Sequence, residues 1–294
     1  MTGRRDSFML YLVRKGAELM AVAPLLRRSG PPGFFSLVWM ESRTSLYAAF
    51  SMVPEYEAEV FELLGKELVS HVRLRKFQSD YVPLQSALAR FFEHLGADQS
   101  RVAPNTEVKL DQEVIGSLNR KRRSSIRRLE RRLGELGTLE HRTENAREHV
   151  DEVTNWIFDR KLVQFQSDDG SNWIEWPETR TYFNSVVGEL SQSGAARTGE
   201  LLLDGKRVAA SLFFLADRRI WFSKTAYDPE YAHYSPGWIE VVRTLEAFRQ
   251  EGFVEVDLML GEGLIKSSLG RPGLGTCRYR LSLNPLTIFS RRMR

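Results

Sequence analysis

Residues 227–237 read YDPEYAHYSPG, an aromatic loop that ends in the tripeptide Ser235-Pro236-Gly237. Serine is favoured at the N-cap of a helix and proline at its first position, so a helix is predicted to begin here. The first turn of a helix presents backbone N–H groups that lack intrahelical partners, and it therefore attracts anions. The segment predicts either a well-capped helix or the cradle of an anionic ligand such as a coenzyme pyrophosphate.

The segments on both sides of this loop predict a mixed sheet. Upstream, short turns separate three apolar runs, at residues 198–203, 208–215 and 220–225. Asp204-Gly205 is a strong hairpin signal between the first two runs. Downstream, residues 238–250 carry the apolar face of a helix and residues 253–260 read as a strand. A strand, a helix and a strand in this order require a crossover, so we predict an α/β fold with helices on the faces of the sheet.

The first third of the chain is also rich in strands. Apolar runs broken by glycine and proline occur at residues 8–13, 19–26, 34–40 and 46–52. Helices are predicted over residues 54–67 and 84–95, with extended segments over 72–77 and 101–110. We expect two domains, a partial N-terminal half over residues 1–112 and a C-terminal domain over residues 113–294.

Residues 115–136 predict a long helix with one apolar stripe and a basic remainder. Its polar faces carry Arg120, Lys121, Arg122, Arg123, Arg127, Arg128, Arg131 and Arg132. Such a surface fits a solvated face, a site for the phosphates of a coenzyme or glycan lipid, or a nucleic-acid contact. The lack of interleaved aromatic residues counts against stacking on single-stranded nucleic acid.

Composition sets further bounds on the chemistry. The chain has 294 residues and a net charge of +4, which suits an anionic small ligand without requiring nucleic acid. Cys277 is the single cysteine, so an intramolecular disulfide is excluded, and its strand-like surroundings predict a packing residue. No apolar run approaches the length that spans a bilayer, and we expect a cytoplasmic protein.

The segments after the predicted helix complete a recognisable pattern. The run Ala226–Tyr231, then Tyr234–Gly237, Asp257-Leu258, Gly261-Glu262 and Lys266 resembles the CelD/BcsL-type (BioF2-like) acetyltransferase domain of the GNAT superfamily. The resemblance covers roughly residues 112–270 and includes the upstream hairpin. It implies a GNAT acyltransferase fold, acetyl-CoA or another acyl-CoA as co-substrate, and an amine or hydroxyl acceptor. Members of this family are often tied to bacterial exopolysaccharide or envelope biosynthesis.

The chain departs from the family pattern in two regions. Ile265 stands where an aromatic residue is usual, and Ser267-Ser268 is less basic than the pattern expects, which affects the acceptor side. The first 110 residues resemble a GNAT half that begins at its second strand. We therefore predict a tandem-like fold with an incomplete N-terminal half, whose open edge is covered by a partner chain, as in a homodimer, or by the second half.

The resemblance and the local chemistry assign roles to specific residues. Binding of the acyl-CoA is predicted for Tyr227, Ser235, Pro236, Gly237, Trp238 and Lys266, and Lys266 could alternatively hold an acidic acceptor. Asp257 and Glu262 are candidate bases and His233 is a candidate proton shuttle. Three tyrosines could donate a proton to the thiolate or wall the slot, namely Tyr227, Tyr231 and Tyr234. Direct transfer requires neither a covalent nucleophile nor a metal. For each of these side chains the alternative is a structural one, in which it is a capping carboxylate, a solvated histidine, a packed tyrosine or a surface lysine.

Two other functions fit the same sequence. Fem-type and arginyl-tRNA-type transferases share this superfold, and the second group has a similar Tyr-Asp-Pro-x-Tyr run, so the donor could be a charged tRNA lying along the basic helix. A GNAT-like fold could also serve as a binding module without turnover.

Overall fold

The computed structural model describes residues 7–40, 47–71, 73–165, 177–261 and 263–283. The chain divides into two compact units, the first from Met1–Pro104 and Leu274–Arg294 and the second from Asn105–Gly273. Within the described residues, each unit holds one seven-stranded sheet. The first unit is therefore discontinuous in sequence, which differs from the two contiguous segments expected with a boundary at residue 112.

Among its described residues, unit 1 contains seven strands and two helices, and all elements are numbered along the whole chain. They are β1 (Ser7–Lys15), β2 (Glu18–Ser29), β3 (Phe35–Trp39), β4 (Ser51–Met52), α1 (Glu57–Ser70), β5 (Leu74–Pro83), α2 (Ala87–His94), β6 (Asp98–Ala103) and β14 (Thr276–Ser282). The sheet order is β1-β2-β3-β5-β14-β6, and β4 pairs with β2. Among the described residues, only β3 and β5 run parallel in this sheet, and four strands, β1 to β4, precede α1.

The C-terminal strand β14 lies between β5 and β6 and pairs antiparallel with both. Tyr279 of β14 is fully buried, stacks on Phe92 with ring centroids 5.3 Å apart, and donates its hydroxyl to Glu93 over 3.0 Å. Cys277 is 2% exposed and packs in the same core. The sequence predicted the strand but not its partners, because those partners lie far away along the chain.

Unit 2 contains seven strands and six helices among the described residues. They are β7 (Asn105–Lys109), α3 (Val114–Ser117), α4 (Arg120–Gly134), β8 (Leu139–Glu144), α5 (Arg147–Phe165), α6 (Pro177–Gln192), β9 (Ala196–Leu203), β10 (Lys206–Ala216), β11 (Arg219–Tyr227), α7 (Pro236–Gln250), β12 (Glu255–Leu260), α8 (Leu264–Leu269) and β13 (Arg271–Pro272). The sheet order is β13-β7-β12-β11-β10-β9-β8. The predicted hairpins β9–β10 and β10–β11 are antiparallel, and the predicted crossover makes β11 and β12 parallel.

Helices cover both faces of this sheet, and the side chains of β10 alternate between them. Ala209 and Phe213 pack with α7 and its neighbours, whereas Ala210 and Leu212 pack with residues of α5 and α6. This alternation follows from the two-residue period of a strand. The continuous apolar runs in the sequence reflect a sheet that is buried on both sides.

Two local features differ from the sequence-based expectation. The helix predicted over residues 115–136 is interrupted at Leu118, and Asn119 then caps α4 by accepting the Arg122 N–H at 2.9 Å. Strand β8 has the polar sequence LEHRTE and was not predicted. It is an edge strand that pairs with β9. Its extended conformation is therefore determined by this pairing and not by an alternation of apolar residues. No described helix is long and apolar enough to cross a membrane.

Candidate active site

The two parallel strands at the centre of unit 2 separate part-way along their length. Cα pairing between them covers Arg219–Trp221 of β11 and Glu255–Asp257 of β12. Beyond these pairs β11 continues to Tyr227 and β12 to Leu260 without pairing to each other. We call the space between the diverging ends the strand gap. The connection through α7 makes this gap a break in the sheet, which is where α/β proteins commonly bind ligands.

The N-terminus of α7 follows directly from the aromatic loop. Residues Pro229–Tyr234 form a 3₁₀ turn, and Ser235 then adopts a left-handed conformation with φ 52° and ψ 50°. Ser235 is the N-cap residue as predicted, but its side chain makes no capping hydrogen bond. The left-handed backbone is unfavourable for serine, and such conformations concentrate at functional sites. The helix therefore starts with its hydroxyl cap unused and proline at its first position.

Thr225 and Gly237 meet where α7 begins beside β11. A Cβ added at Gly237 would lie 3.7 Å from Tyr227 Cδ1 and 3.9 Å from Thr225 Oγ1, which are ordinary contacts. The fold itself therefore tolerates a methyl group at Gly237. The Thr225 hydroxyl is buried and has no hydrogen-bond partner among the described residues. A buried hydroxyl without a partner costs free energy, so this position is suited to a polar ligand atom.

Asp228, from the Tyr-Asp-Pro run, is a structural residue of the loop. Its carboxylate accepts the Glu230 N–H at 3.2 Å and forms ion pairs with Arg160 of α5 at 3.5 Å and Lys206 of β10 at 3.4 Å. It is 5% exposed. An aspartate followed by proline at the start of a turn is the local signal for this role. Asp228 therefore fixes the loop that delivers Ser235 to the helix.

Asp257, one of the predicted bases, is 2% exposed and already has several donors. Its carboxylate accepts from Asn105 Nδ2 at 2.9 Å, from the Met259 N–H at 2.7 Å and from Arg219 Nη2 at 3.3 Å. These contacts connect β7, β12 and β11 at the closed end of the strand gap. The arrangement fits a residue that positions the strands.

The remaining predicted site residues lie around the first turn of α7 or beside the end of β12. Tyr234 is half-buried against the core that contains Trp238, and the exposed His233 ring lies 3.9 Å from the Tyr234 ring. Tyr227 is 38% exposed beside the first turn of α7. Lys266 lies on α8, and its ammonium donates to the carbonyls of Met259, at 3.4 Å, and Leu260 at the end of β12. Glu262 lies outside the described residues.

The basic helix α4 lies against the start of α7. The Arg122 guanidinium is 4.9 Å from the Trp238 ring, and that of Arg132 is 5.7 Å from the Tyr234 ring. Arg243 of α7 forms an ion pair with Glu130 of α4 at 2.5 Å. Two of the eight basic residues seen in the sequence are therefore placed beside the predicted anion site. Their neighbours Arg127 and Arg128 are exposed.

A buried polar network beside α7 was not predicted from the sequence. Glu240 is fully buried, with Ser211 donating to one carboxylate oxygen and Thr244 donating to the other at 2.8 Å. Thr244 in turn contacts His141 Nε2 at 2.9 Å. Burial raises the pKa of Glu240 to about 8 and lowers the pKa of His141 to about 4. The available signal was a glutamate on the apolar face of a helix, one turn before a threonine.

Comparisons with known proteins agree with this architecture. Residues 120–264 match the family model described as Acetyltransferase (GNAT) domain. FemX is similar in structure at 12% identity, covering 97% of this chain and 90% of that chain with a TM-score of 0.65. The C-terminal domain (DUF2156) of a putative lysylphosphatidylglycerol synthetase from Agrobacterium fabrum is similar at 12% identity, with coverages of 97% and 86% and a TM-score of 0.58.

L-PGS from Bacillus licheniformis is also similar, at 11% identity, with 97% of this chain and 87% of that chain covered and a TM-score of 0.56. No curated protein sequence matches the chain. At these identities the structural likeness shows the fold alone. Residues 120–264 lie within unit 2, which contains the strand gap and α7. The chain therefore has a tandem-like GNAT fold, and residues 120–264 of its second unit match the acetyltransferase (GNAT) domain.

Proposed function

We propose that the chain transfers an acyl group from acyl-CoA, with acetyl-CoA as the first candidate, directly to an amine or hydroxyl acceptor. The observation that carries the proposal is the strand gap, with the first turn of α7 at its mouth and, beside it, the Thr225 hydroxyl, which has no partner in the part of the chain that the structure describes. The strand gap offers a slot for the thioester, and the Thr225 hydroxyl offers a hydrogen-bonding partner for the part of the coenzyme that carries the thioester. The match of residues 120–264 to a GNAT acetyltransferase domain supports the same activity.

The residues around α7 suit the phosphates of the coenzyme. The free N–H groups of the first helical turn would hold the pyrophosphate, and the helix dipole adds to the attraction. Arg122 and Arg132 lie on the adjacent α4 surface and would supply further positive charge. In this assignment Tyr227, Ser235, Gly237 and Trp238 line the donor side.

The transfer itself forms one bond and breaks one. The acceptor nitrogen or oxygen attacks the thioester carbonyl carbon, the carbon–sulfur bond breaks, and the proton lost by the acceptor is balanced by a proton gained by the coenzyme thiolate. Tyr234 is our candidate for protonating the thiolate, with the neighbouring His233 as a route for protons to solvent. Glu262 stays the candidate base, and we assign Asp257 to positioning because three donors already hold its carboxylate.

A second candidate is aminoacyl transfer from a charged tRNA. The arginine-rich surface of α4 beside α7 favours a polyanionic donor, and the structural likeness to FemX is compatible with this reading. A non-catalytic binding module is the third reading. Envelope or exopolysaccharide biosynthesis, a cytoplasmic location and a homodimer remain predictions from the sequence.

Thermal melting with acetyl-CoA, dephospho-coenzyme A or charged tRNA separates the candidates. A ligand at a hundred times its Kd stabilises the folded state by about 2.7 kcal/mol, which is readily detected. We expect stabilisation by acetyl-CoA that weakens when the 3′-phosphate is absent. Stabilisation by charged tRNA alone, falling steeply with salt, would favour the second candidate. Binding of acetyl-CoA without release of free coenzyme in the presence of any acceptor would favour the binding module.

A further inference from the structure

The sheet of unit 1 ends in a long strand whose outer edge pairs with no other strand of the described chain. Strand β1 stands first in the sheet order, and its nine residues pair with β2 alone. Residues 8–13 within it read FMLYLV and carry no charge. On the outer side of an edge strand, backbone N–H and C=O groups point away from the sheet and are available to a further strand.

The strands at the other ends of the two described sheets are protected against such pairing. In unit 2, β8 carries charged side chains along its sequence LEHRTE, and β13 is two residues long and contains Pro272. In unit 1, β6 begins with the polar residues Asp98–Ser100. Charged or polar side chains, proline and short length are the usual means of keeping an edge from joining another chain. Residues 8–13 have none of them, so β1 differs from the other three terminal strands in being suited to pair.

Both faces of β1 are left partly uncovered. On the face towards the core, three side chains are only half-buried, namely those of Met9, Tyr11 and Val13. Their partners on β2, one strand further in, are buried, namely Leu25, Ala23 and Ala21. On the opposite face, side chains are 47% to 57% exposed at Phe8, Leu10 and Leu12. A strand added beside β1 would therefore bury apolar surface on both faces, which favours association.

The run around Leu10 is complementary to itself in an antiparallel pair. Residues that stand opposite each other in such a pair share a face of the sheet. A twofold axis at Leu10 sets this residue opposite its own copy, Phe8 opposite Leu12, and Met9 opposite Tyr11. Each contact joins apolar or aromatic side chains, and no like charges are opposed between residues 8 and 12. A second copy of the chain therefore supplies a matching strand without any further partner.

We propose that β1 pairs antiparallel with β1 of a second copy of this chain, about a twofold axis at Leu10. The sheets of the two copies of unit 1 then form one continuous sheet. The inference specifies the partner for the open edge that the sequence predicts in the first half of the chain. It is independent of the proposed acyl transfer, because it uses no residue of the strand gap or of α7.

The first test measures self-association of the full chain by sedimentation velocity over a series of concentrations. The wild type is compared with Leu10→Lys and with Leu63→Lys, which changes a leucine of α1 that is 48% exposed, as against 49% for Leu10. We expect the wild type and Leu63→Lys to form dimers with the same Kd. Leu10→Lys should weaken the dimer about a hundredfold, because two ammonium groups would then face each other across the axis.

Leu10→Glu provides a rescue that depends on the twofold arrangement. Alone it should be as defective as Leu10→Lys, since two carboxylates would be opposed. An equal mixture of the two variants should dimerise again, because unlike charges then meet at the axis. A wild-type chain that stays monomeric overturns the proposal, as does a dimer that Leu10→Lys leaves unchanged. A mixture that stays monomeric contradicts the register at Leu10.

The second test follows hydrogen exchange of the backbone amides in residues 7–13. We expect protection that rises with the concentration of the wild type and is lost in Leu10→Lys, whereas α1 and β5 stay protected in both. A dimer whose β1 amides exchange freely would be joined by its faces and not by this edge. Protection of β1 in the dilute monomer would show that the edge is covered within the chain. Either result contradicts pairing between two copies of β1.

Discussion

At the scale of single residues, the site contains side chains that hold the fold together and side chains that are suited to contact a ligand. Asp228 and Asp257 are buried and satisfied by ion pairs or backbone N–H groups, so they hold the loop and the strands. Thr225 and Gly237 show the opposite pattern, because the Thr225 hydroxyl has no partner among the described residues and a Cβ at Gly237 would make only ordinary contacts. The fold does not require a hydroxyl at Thr225 or the absence of a side chain at Gly237, so contact with a ligand is the simplest reason for both.

Thr225→Val should separate catalysis from stability. Valine keeps the shape and removes the buried hydroxyl, so the free energy of unfolding should stay the same or rise, by up to about 1–3 kcal/mol. The kcat/KM for acetyl-CoA should fall about tenfold because a ligand partner is lost. Thr198→Val is the control, since the Thr198 hydroxyl bonds the Glu144 carbonyl at 3.4 Å and its loss should affect stability alone. Unchanged kinetics in Thr225→Val would remove Thr225 from the site.

Gly237→Ala tests the first turn of α7. The added methyl group makes only ordinary protein contacts, and alanine favours a helix by up to about 1 kcal/mol, so the melting temperature should not fall. The KM for acetyl-CoA should rise about tenfold because the methyl group occupies space beside the backbone N–H groups. Gly134→Ala in α4, where a Cβ meets nothing within 4 Å, should likewise not lower the melting temperature and should leave the KM unchanged. A normal KM in Gly237→Ala would argue against a donor site at this turn.

At the scale of elements, α7 presents a ligand-facing end and a buried polar side. Gly199 of β9 faces that side, where a Cβ would overlap Thr244 and Glu240, so glycine lets the helix approach the sheet. Burial of Glu240 without an ion pair among its described contacts explains its raised pKa. The helix is thereby anchored through a carboxyl group that is protonated at neutral pH.

Glu240→Gln should change the pH dependence of stability in a defined direction. The pKa of Glu240 rises from 4.5 when unfolded to about 8 when folded, so the folded state binds a proton that the unfolded state has lost. Wild-type stability should therefore decline as pH rises from about 4.5 to about 8 and level off above that. Urea unfolding from pH 5 to 9 should show a flatter profile for the variant, by a few kcal/mol, whereas Glu140→Gln at an exposed position keeps the wild-type slope. Parallel profiles would contradict the protonated assignment.

The arginine surface of α4 gives a second prediction at this scale. Arg122→Gln combined with Arg132→Gln should weaken acetyl-CoA binding about tenfold and reduce its dependence on salt, because two charges near the phosphates are lost. Arg127→Gln combined with Arg128→Gln removes the same charge from exposed positions and should have little effect. Calorimetric titration at two salt concentrations provides both measurements. Equal weakening by the two pairs would indicate a diffuse electrostatic effect.

At the scale of the whole molecule, distant segments complete each sheet. Strand β14 enters the sheet of unit 1 from beyond residue 273, while β7, next to β6 in sequence, pairs with β12 in unit 2. The strand that precedes β14 along the chain, and the strand that precedes β7, each belong to the other unit. The stability of the strands within the first hundred residues is therefore tied to β14, the last strand among the described residues.

Tyr279→Ala should destabilise unit 1 although Tyr279 lies near the C-terminus. Loss of this fully buried ring, which stacks on Phe92, should cost about 3–5 kcal/mol. Hydrogen exchange should show lost protection in β5 and β6 and retained protection in β9 to β11. Arg280→Ala, at an exposed position of the same strand, should leave both sheets protected. Equal loss in both sheets would show that the two units unfold as one.

The sequence by itself determined the local elements and the position of the α7 N-terminus. Hairpin turns, helix periodicity and the Ser235-Pro236-Gly237 step depend on residues a few positions apart, so they are readable from a single chain. Tertiary structure decided the insertion of β14 and the hydrogen bond between Asn105 and Asp257 across 152 residues. These arise because burial and strand pairing join segments whose separation leaves no periodic trace in the sequence.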